Sequence, residues 1–574
     1  MHRFYCLVKL VCQRIYYYRG SKEMDSNKRS KEFYRELKEA YFPAIKTEEI
    51  LNTTIGEELK KASNDSGNMM ALVQVQDDGS IGRSWTYEEL YKDCLELAKR
   101  MSSRHKKGTR VAVWAPNYPE WVIIEYAASL AGLILVTVNP SFQEDELKYV
   151  LEKSQSEELY VAKSFRGNPM WDIAKKVTAK MPSVKRMVDI QDWDELFGLN
   201  DSGSESLTNS LPEVAPRDPV QIQFTSGTTG FPKGAKLHHM GLFNNAKSFQ
   251  TRMGLEKGDR WLNCMPMFHT SGAGMATLGC LAMRATHYIM ERFDAKNWCE
   301  VVEKEKINFL TAVPTMFVEI LEEWKKGNYQ ESKLKGMTSG GTSVPPTLVK
   351  ELHQTFGVWL QIVYGQTESS PVITLAWADD NLENLTNSLG QPLPNLDVSI
   401  RDPQTNRVMG LNEVGEICNR GDNTMLEYHQ NPDATSETID DEQWLHTGDL
   451  GTMDAEGYVR IAGRVKEMII RGGENIYPKE IENSLLEHND ISEVAIVGLP
   501  DEKFGEIVGC FLKFEKGQKL TSTDLKSYIR EKISPQKTPA VWVEIDEWPL
   551  TGSGKIKKYA LREQLSAGLL KVLT

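Results

Sequence analysis

Several short segments of the chain combine residue types suited to phosphate, sugar and metal. The run Thr225-Ser226-Gly227-Thr228-Thr229-Gly230-Phe231-Pro232-Lys233-Gly234 sets small hydroxyl residues and glycines directly after the alternating stretch Val220–Phe224. Successive backbone N–H groups in such a loop can face one anion, the hydroxyls add donors, and Lys233 adds positive charge for a polyphosphate. The spacing is not that of a Walker A loop, since no Ser or Thr follows a Gly-Lys pair; read alone, the run could be a Gly-rich hairpin. In Tyr364-Gly365-Gln366-Thr367-Glu368, Tyr364 has a face on which adenine can stack, and Gln366 and Thr367 offer polar contacts. Glu368 is a hard oxygen donor suited to Mg²⁺ on phosphates, though a lone loop glutamate is ordinarily solvated. Gly340 and Gly341, in Ser339-Gly340-Gly341-Thr342, would let backbone approach a flat ring closely, though alone they mark a turn. Asp449, in Thr447-Gly448-Asp449, suits a ribose diol, and Arg464 offers a charged partner to the same sugar or to the α-phosphate. On spacing alone these two are loop residues. Lys555 sits among glycines in Thr551-Gly552-Ser553-Gly554-Lys555, where a lysine is ordinarily a solvated charge.

The elements that must position these residues read as alternating strands and helices. Thr86 and Glu89 form a capping box opening a helix through Leu90, Cys94, Leu97 and Ala98. A strand at 110–115, a helix at about 120–131 and the apolar strand 133–138 make a βαβ unit, and unbroken apolar strands imply a parallel sheet covered on both faces. The alternation continues beyond a Ser-, Asn- and Pro-rich loop at 200–219, with strands at 220–224, 260–264, 309–313 and 362–364 and helices at 316–325 and 347–355. In a doubly wound sheet ligands collect beyond the carboxyl ends of strands, which is where Tyr364 stands. Short strands with Gly turns near 398–401, 414–417 and 458–462 predict an antiparallel β element. A compact α+β tail of about 110 residues follows Gly463, within the usual size of a domain.

The bulk numbers exclude several classes. At 574 residues the chain exceeds what one core organises. A net charge of -12 gives no basic field for nucleic acid. No pair of the 8 cysteines has CxxC spacing, so free thiols are expected and zinc is not. No Ser-His-Asp order stands out, and no uncharged stretch suits a membrane span. Residues 1–25 open with a basic, acid-free stretch carrying Arg3, Lys9, Arg14, Arg19 and Lys22. It suits a mitochondrial transit peptide, and its poverty in serine leaves a frayed leader or an upstream-start artefact as the alternatives.

The motifs occur in one order over roughly residues 70–570 and resemble those of the adenylate-forming superfamily, which includes acyl-CoA synthetases, aryl-CoA ligases, beetle luciferases and nonribosomal adenylation domains. The resemblance implies an α/β fold, with a large N-terminal domain of doubly wound sheets plus a β element (26–463) and a small mobile α+β C-terminal domain (464–574). It implies ATP, Mg²⁺ and coenzyme A as reaction partners. By resemblance the 225–233 run, Gly340–Thr342, Tyr364–Thr367, Asp449, Arg464 and Lys555 bind ATP, and Glu368 is the metal ligand. Lys555 spans the acid carboxylate and the α-phosphate, Lys233 faces the phosphates, and His269 stands at the mouth of the acyl pocket, where a packing or hydrogen-bonding role is the plainer reading. Lys466 matches the hinge of the C-terminal domain, and Gly472, Gly473 and Glu474 match a loop lining the pantetheine channel. Val313–Phe317, Tyr364–Pro371 and Met468–Pro478 look most like medium-chain fatty acyl-CoA synthetases, with the mitochondrial matrix as the expected location and the cytoplasm as the alternative. Competing expectations are an aryl-acid or short-chain CoA ligase, a luciferase-like oxygenase, a sensor lacking catalysis, and a P-loop ATPase or kinase. Retention of the loop, Glu368 and Lys555 argues against a sensor.

Overall fold

The structure, a computed structural model, describes residues 29–198, 210–225, 232–330, 332–342, 344–472, 474–550 and 556–573. The leader at 1–25, Ser226 to Phe231, Gly473 and Lys555 therefore lie outside the described residues.

Two largely parallel sheets and one antiparallel sheet make up the chain to Arg464. The first has seven strands, in the order Glu427–Tyr428, Lys233–His238, Pro219–Thr225, Ile134–Val138, Arg110–Trp114, Glu158–Val161 and Arg186–Asp189. The last five run parallel, while Lys233–His238 folds back antiparallel on Pro219–Thr225. The second sheet has nine strands, with Leu360–Gly365, Gly336–Gly340, Phe309–Thr311, Arg260–Asn263, Thr286–Met290 and Met70–Val75 as its parallel centre. The third joins Tyr41–Phe42, Asp397–Arg401, Gly415–Arg420, Leu445–Met453 and Val459–Arg464, all antiparallel.

Local chemistry explains the elements that carry this frame. Thr86 starts the helix Tyr87–Arg104 by accepting the Glu89 N–H at 3.3 Å, and Glu89 accepts the Thr86 N–H at 2.8 Å. The helix Pro119–Leu130 is mostly apolar, with Glu120 and Glu125 its two charged members, as befits a helix enclosed on every side. It packs on Ile134–Val138 of one sheet and Met70–Val75 of the other, with every residue from Pro119 to Ser129 buried.

The strand Pro219–Thr225 buries two polar side chains, Gln221 and Gln223. They tolerate burial because Gln223 donates to Gln221 at 2.8 Å and Gln221 donates to Glu125 at 2.7 Å.

The 3₁₀ turn Val465–Glu467 leads from the third sheet to a fourth, built from Glu474–Ile476, Ile469–Arg471, Gly505–Phe514, Ile491–Asp501 and Val541–Glu544. Helices Pro478–Leu486 and Ser522–Arg530 pack against it around a core of its own, with Ile481, Leu485, Cys510, Leu525 and Ile529 fully enclosed. Cys94, Cys264, Cys280, Cys299, Cys418 and Cys510 are buried free thiols, as expected. Among the described residues no helix is long and apolar enough to cross a membrane.

Candidate active site

The predicted residues collect where strands of the parallel sheets end at their carboxyl termini and the antiparallel sheet meets them. Thr225 closes its strand in the first sheet, and Gly340 and Gly365 close neighbouring strands in the second. A side chain at Gly340 would stand 2.2 Å from the Val363 carbonyl oxygen, so the two strand ends approach as closely as they do only with glycine there. Gly341 and Thr342 follow in the open.

One cluster lies around Glu368. The 3₁₀ turn Thr367–Ser369 buries its carboxylate, leaving 7% of the residue exposed. Tyr428 donates its hydroxyl to Glu368 Oε1 at 2.6 Å, and Thr225 donates to the same oxygen at 3.4 Å. Burial, with Glu368 beside it, pushes the Tyr428 phenol far up, which keeps it a donor. Lys233 stands with its ammonium 4.9 Å from the centre of the Tyr428 ring, a cation–π contact beside the same carboxylate.

A second cluster lies around Asp449. Register places Asp449 directly opposite Arg464 on adjacent antiparallel strands, and their side chains pair at 2.9 Å. Tyr364 reaches from the second sheet to donate its hydroxyl to Asp449 Oδ2 at 3.1 Å. Burial, reinforced by Asp449, raises the Tyr364 phenol well above its ordinary range, so it too remains protonated. A ring flanked by a carboxylate and a guanidinium can hold a base and its sugar side by side.

The other predicted residues in the described part of the chain lie on different elements. His269 is exposed at the entry to a π-helical turn, Ser271–Leu278, whose residues are all buried. Its Nδ1 accepts the Ser271 N–H at 3.1 Å, which leaves the ring proton on Nε2 in the neutral form. Lys466 is exposed in the turn between the third and fourth sheets. Gly472 and Glu474 sit at the tip of the hairpin Ile469–Ile476, and the Gly472 N–H bonds to the Phe504 carbonyl within the fourth sheet at 2.8 Å. The segment carrying Lys555 is closed at its base. Leu550 bridges Ile556, Lys557 donates its N–H to the Pro549 carbonyl at 2.7 Å, and the Lys558 ammonium meets Glu467 at 2.7 Å and Glu482 at 2.8 Å.

The AMP-binding enzyme model matches residues 59–429, and the model of the AMP-binding enzyme C-terminal domain matches residues 480–555. The YngI protein of Bacillus subtilis is 35% identical over 543 residues, covering 90% of this chain and 98% of its own length. The chain belongs to the AMP-binding enzyme family. A medium-chain acyl-CoA ligase, the mitochondrial ACSF2 of Macaca fascicularis, is 33% identical over 558 residues, 92% of this chain and 90% of its own. The o-succinylbenzoate CoA synthetase MenE of Bacillus subtilis, solved with its acyl-adenylate intermediate, superposes with a TM-score of 0.74 at 27% identity, covering 88% of this chain and 97% of its own. This AMP-binding enzyme is accordingly an acyl-CoA synthetase, an acid–thiol ligase driven by ATP, on the mixed α/β frame of that family.

The sequence reading missed Tyr428. Nothing in Leu426-Glu427-Tyr428-His429 marks it, and it reaches Glu368 because the short strand Glu427–Tyr428 pairs with Lys233–His238 at the edge of the first sheet.

Proposed function

We propose that this AMP-binding enzyme activates a medium-chain fatty acid as its acyl-adenylate and transfers the acyl group to coenzyme A in the mitochondrion. What supports the reading is a pair of clusters on strand ends of the two parallel sheets, Asp449 with Tyr364 and Arg464, and Glu368 with Thr225 and Tyr428. The mitochondrial ACSF2 relative supports the location and the chain length.

In the first step a carboxylate oxygen attacks the α-phosphorus of ATP and diphosphate leaves, giving a mixed anhydride. Two anions must approach, so cationic and dipolar groups fixed in advance are the main source of rate. Tyr364 stacks on adenine beside Gly340–Thr342, Asp449 accepts from the ribose hydroxyls, and Arg464 faces the sugar or the α-phosphate. The 225–232 loop and Lys233 face the β- and γ-phosphates, while Lys555 spans the acid carboxylate and the α-phosphate. Glu368 offers hard oxygen donors in a buried setting with hydroxyl groups alongside, which fits Mg²⁺. When bound there, the cation supplies charge neutralisation to the phosphates. In the second step the thiol of coenzyme A attacks the acyl carbonyl and AMP leaves. Gly472–Glu474 line the pantetheine path after the domain beginning at 464 turns about Lys466. His269 orients the acid at the pocket mouth, and the small residues of Ser271–Leu278 leave room for an aliphatic chain.

A panel of linear and aryl acids tests this, with AMP and acyl-CoA measured together. Turnover efficiency should climb through about six to ten carbons, since each buried methylene adds about 0.8 kcal/mol, and fall for shorter or aryl acids. Best turnover of an aryl or two-carbon acid would overturn the substrate. Lys555→Ala should cut adenylate formation by about 100-fold or more, while thioester formation from supplied acyl-adenylate stays within about threefold. Equal loss of both steps would remove the two-orientation scheme.

A further inference from the structure

The strand that carries Asp449 is irregular just before it. Pairing between Gly415–Arg420 and Leu445–Met453 slips register between Glu416 and Cys418. The slack falls on Thr447-Gly448, where Gly448 takes a left-handed φ of 73°. Such a kink re-aims the next side chain, and several contacts pin it. Thr447 donates its hydroxyl to the Ile417 carbonyl at 2.7 Å and accepts the Asp449 N–H at 3.1 Å. Glu416 accepts the Gly448 N–H on Oε1 at 2.8 Å, and its other oxygen lies 2.8 Å from His446 Nδ1. The far ring nitrogen of His446 lies 3.4 Å from Asp440 Oδ2. Asp440 is fixed in turn by N–H bonds from Glu442 at 3.0 Å and Trp444 at 2.8 Å and by Asn406 at 2.9 Å. A continuous chain thus runs from Asp440 through His446 and Glu416 to the amide beside Asp449.

We infer that Glu416 and His446 are positioning residues for Asp449, holding the Thr447-Gly448 kink so that the carboxylate stands where a ribose hydroxyl can meet it. The inference rests on the reading of Asp449 as the ribose acceptor. Glu416 is only 7% exposed, so its bonds to the imidazole and the amide are shielded and stronger than surface pairs. Glu416, Cys418 and His446 also bring one ligand-type atom each within 4.8 Å of one another. Both Glu416 oxygens are already engaged, and burial pushes the Cys418 thiol well up, so the cluster is a hydrogen-bonded strut rather than a place for a cation. The charged and titratable groups facing His446 are Glu416 and Cys418 from the adjacent strand and Asp440 from the turn before its own, with Arg401 beyond Cys418. The Glu416 hydrogen bond, helped by Asp440 and opposed by burial, holds the imidazole above its ordinary pKa. The hold is therefore complete at low pH and weakens as pH rises through that elevated value, when the far nitrogen loses its proton and faces Asp440 lone pair to lone pair.

The test is discrimination between ATP and its 2′-deoxy and 3′-deoxy analogues, read as ratios of kcat/KM in the wild type and in Asp449→Asn, Glu416→Gln, His446→Gln and His446→Arg. Asp449→Asn should collapse the ratios toward one. Glu416→Gln and His446→Gln should lower them by about tenfold, chiefly through a rise in KM for ATP. His446→Arg, which keeps a cation at any working pH, should restore the ratios and flatten the rise of KM with pH expected of the wild type. Loss of activity shared equally by ATP and the deoxy analogues would overturn the positioning role, as would full discrimination in both Glu416→Gln and His446→Gln. Unchanged discrimination in Asp449→Asn would instead remove the ribose reading, and the inference with it.

Discussion

Glu368 keeps its aim through neutral donors, Tyr428 at 2.6 Å and Thr225 at 3.4 Å, which orient the carboxylate without neutralising it. Partners of this kind around a metal-binding carboxylate are commonly worth 10–100-fold in metal affinity. Tyr428→Phe retains the ring beneath Lys233 and deletes only the hydroxyl, so the Mg²⁺ concentration for half-maximal adenylate formation should rise about tenfold. An unchanged Mg²⁺ titration would separate Glu368 from the metal. At this scale the sequence was legible where a residue belongs to a compact motif, as Thr225, Tyr364, Glu368 and Asp449 do. Tyr428, Glu416 and His446 lie in ordinary strands or turns, and their partners are 60, 30 and 30 residues away. Only strand pairing brings them in, and spacing along the chain carries no trace of it.

The strand Thr286–Met290 shows what an enclosed element imposes on its members. All five positions are buried, and His287 has neither ring nitrogen in a hydrogen bond. Burial drives its pKa down to about 3, so the folded protein keeps the ring neutral. As pH falls below about 6.5 the unfolded chain binds a proton that the folded chain refuses, and stability drops by up to about 1.4 kcal/mol per pH unit. His287→Leu should leave stability at pH 7 near the wild-type value and flatten its decline between pH 6.5 and 4, measured by urea unfolding. A slope unchanged by the substitution would assign the acid sensitivity elsewhere. The capping box at Thr86 and the apolar strand 134–138 were readable because both depend on near neighbours. The π-helical turn Ser271–Leu278 was not, since a segment of small residues fixes no period and its backbone pattern follows from packing around it.

For the whole molecule, alternating strands and helices predicted parallel sheets, short strands with Gly turns an antiparallel addition, and the segment after Gly463 an α+β tail, and each is present. Hydrophobic periodicity made the sheets visible. How the sheets meet was hidden, because contacts such as Tyr364 to Asp449 span 85 residues and depend on docking the second sheet against the third. The short turn Val465–Glu467 is the covalent link between the third and fourth sheets. Lys466→Pro would fix φ near -65° there and restrict the backbone of Val465 before it, and so hinder the proposed rotation. One half-reaction should stay within about threefold of wild type while the other falls by tenfold or more, read by diphosphate exchange and by thioester formation from acyl-adenylate. Full activity in both would place the pivot elsewhere.

The Lys558 ammonium, which burial would push down but Glu482 and Glu467 hold up, fastens the base of the Lys555 segment to the residue just after Lys466. In mechanical terms it is a rivet between crank and shaft. With the proposed rotation placed in the bonds before Glu467, Lys558 and Glu482 travel with Glu467, so an angle taken up at one short turn is carried to the helix Lys558–Ser566.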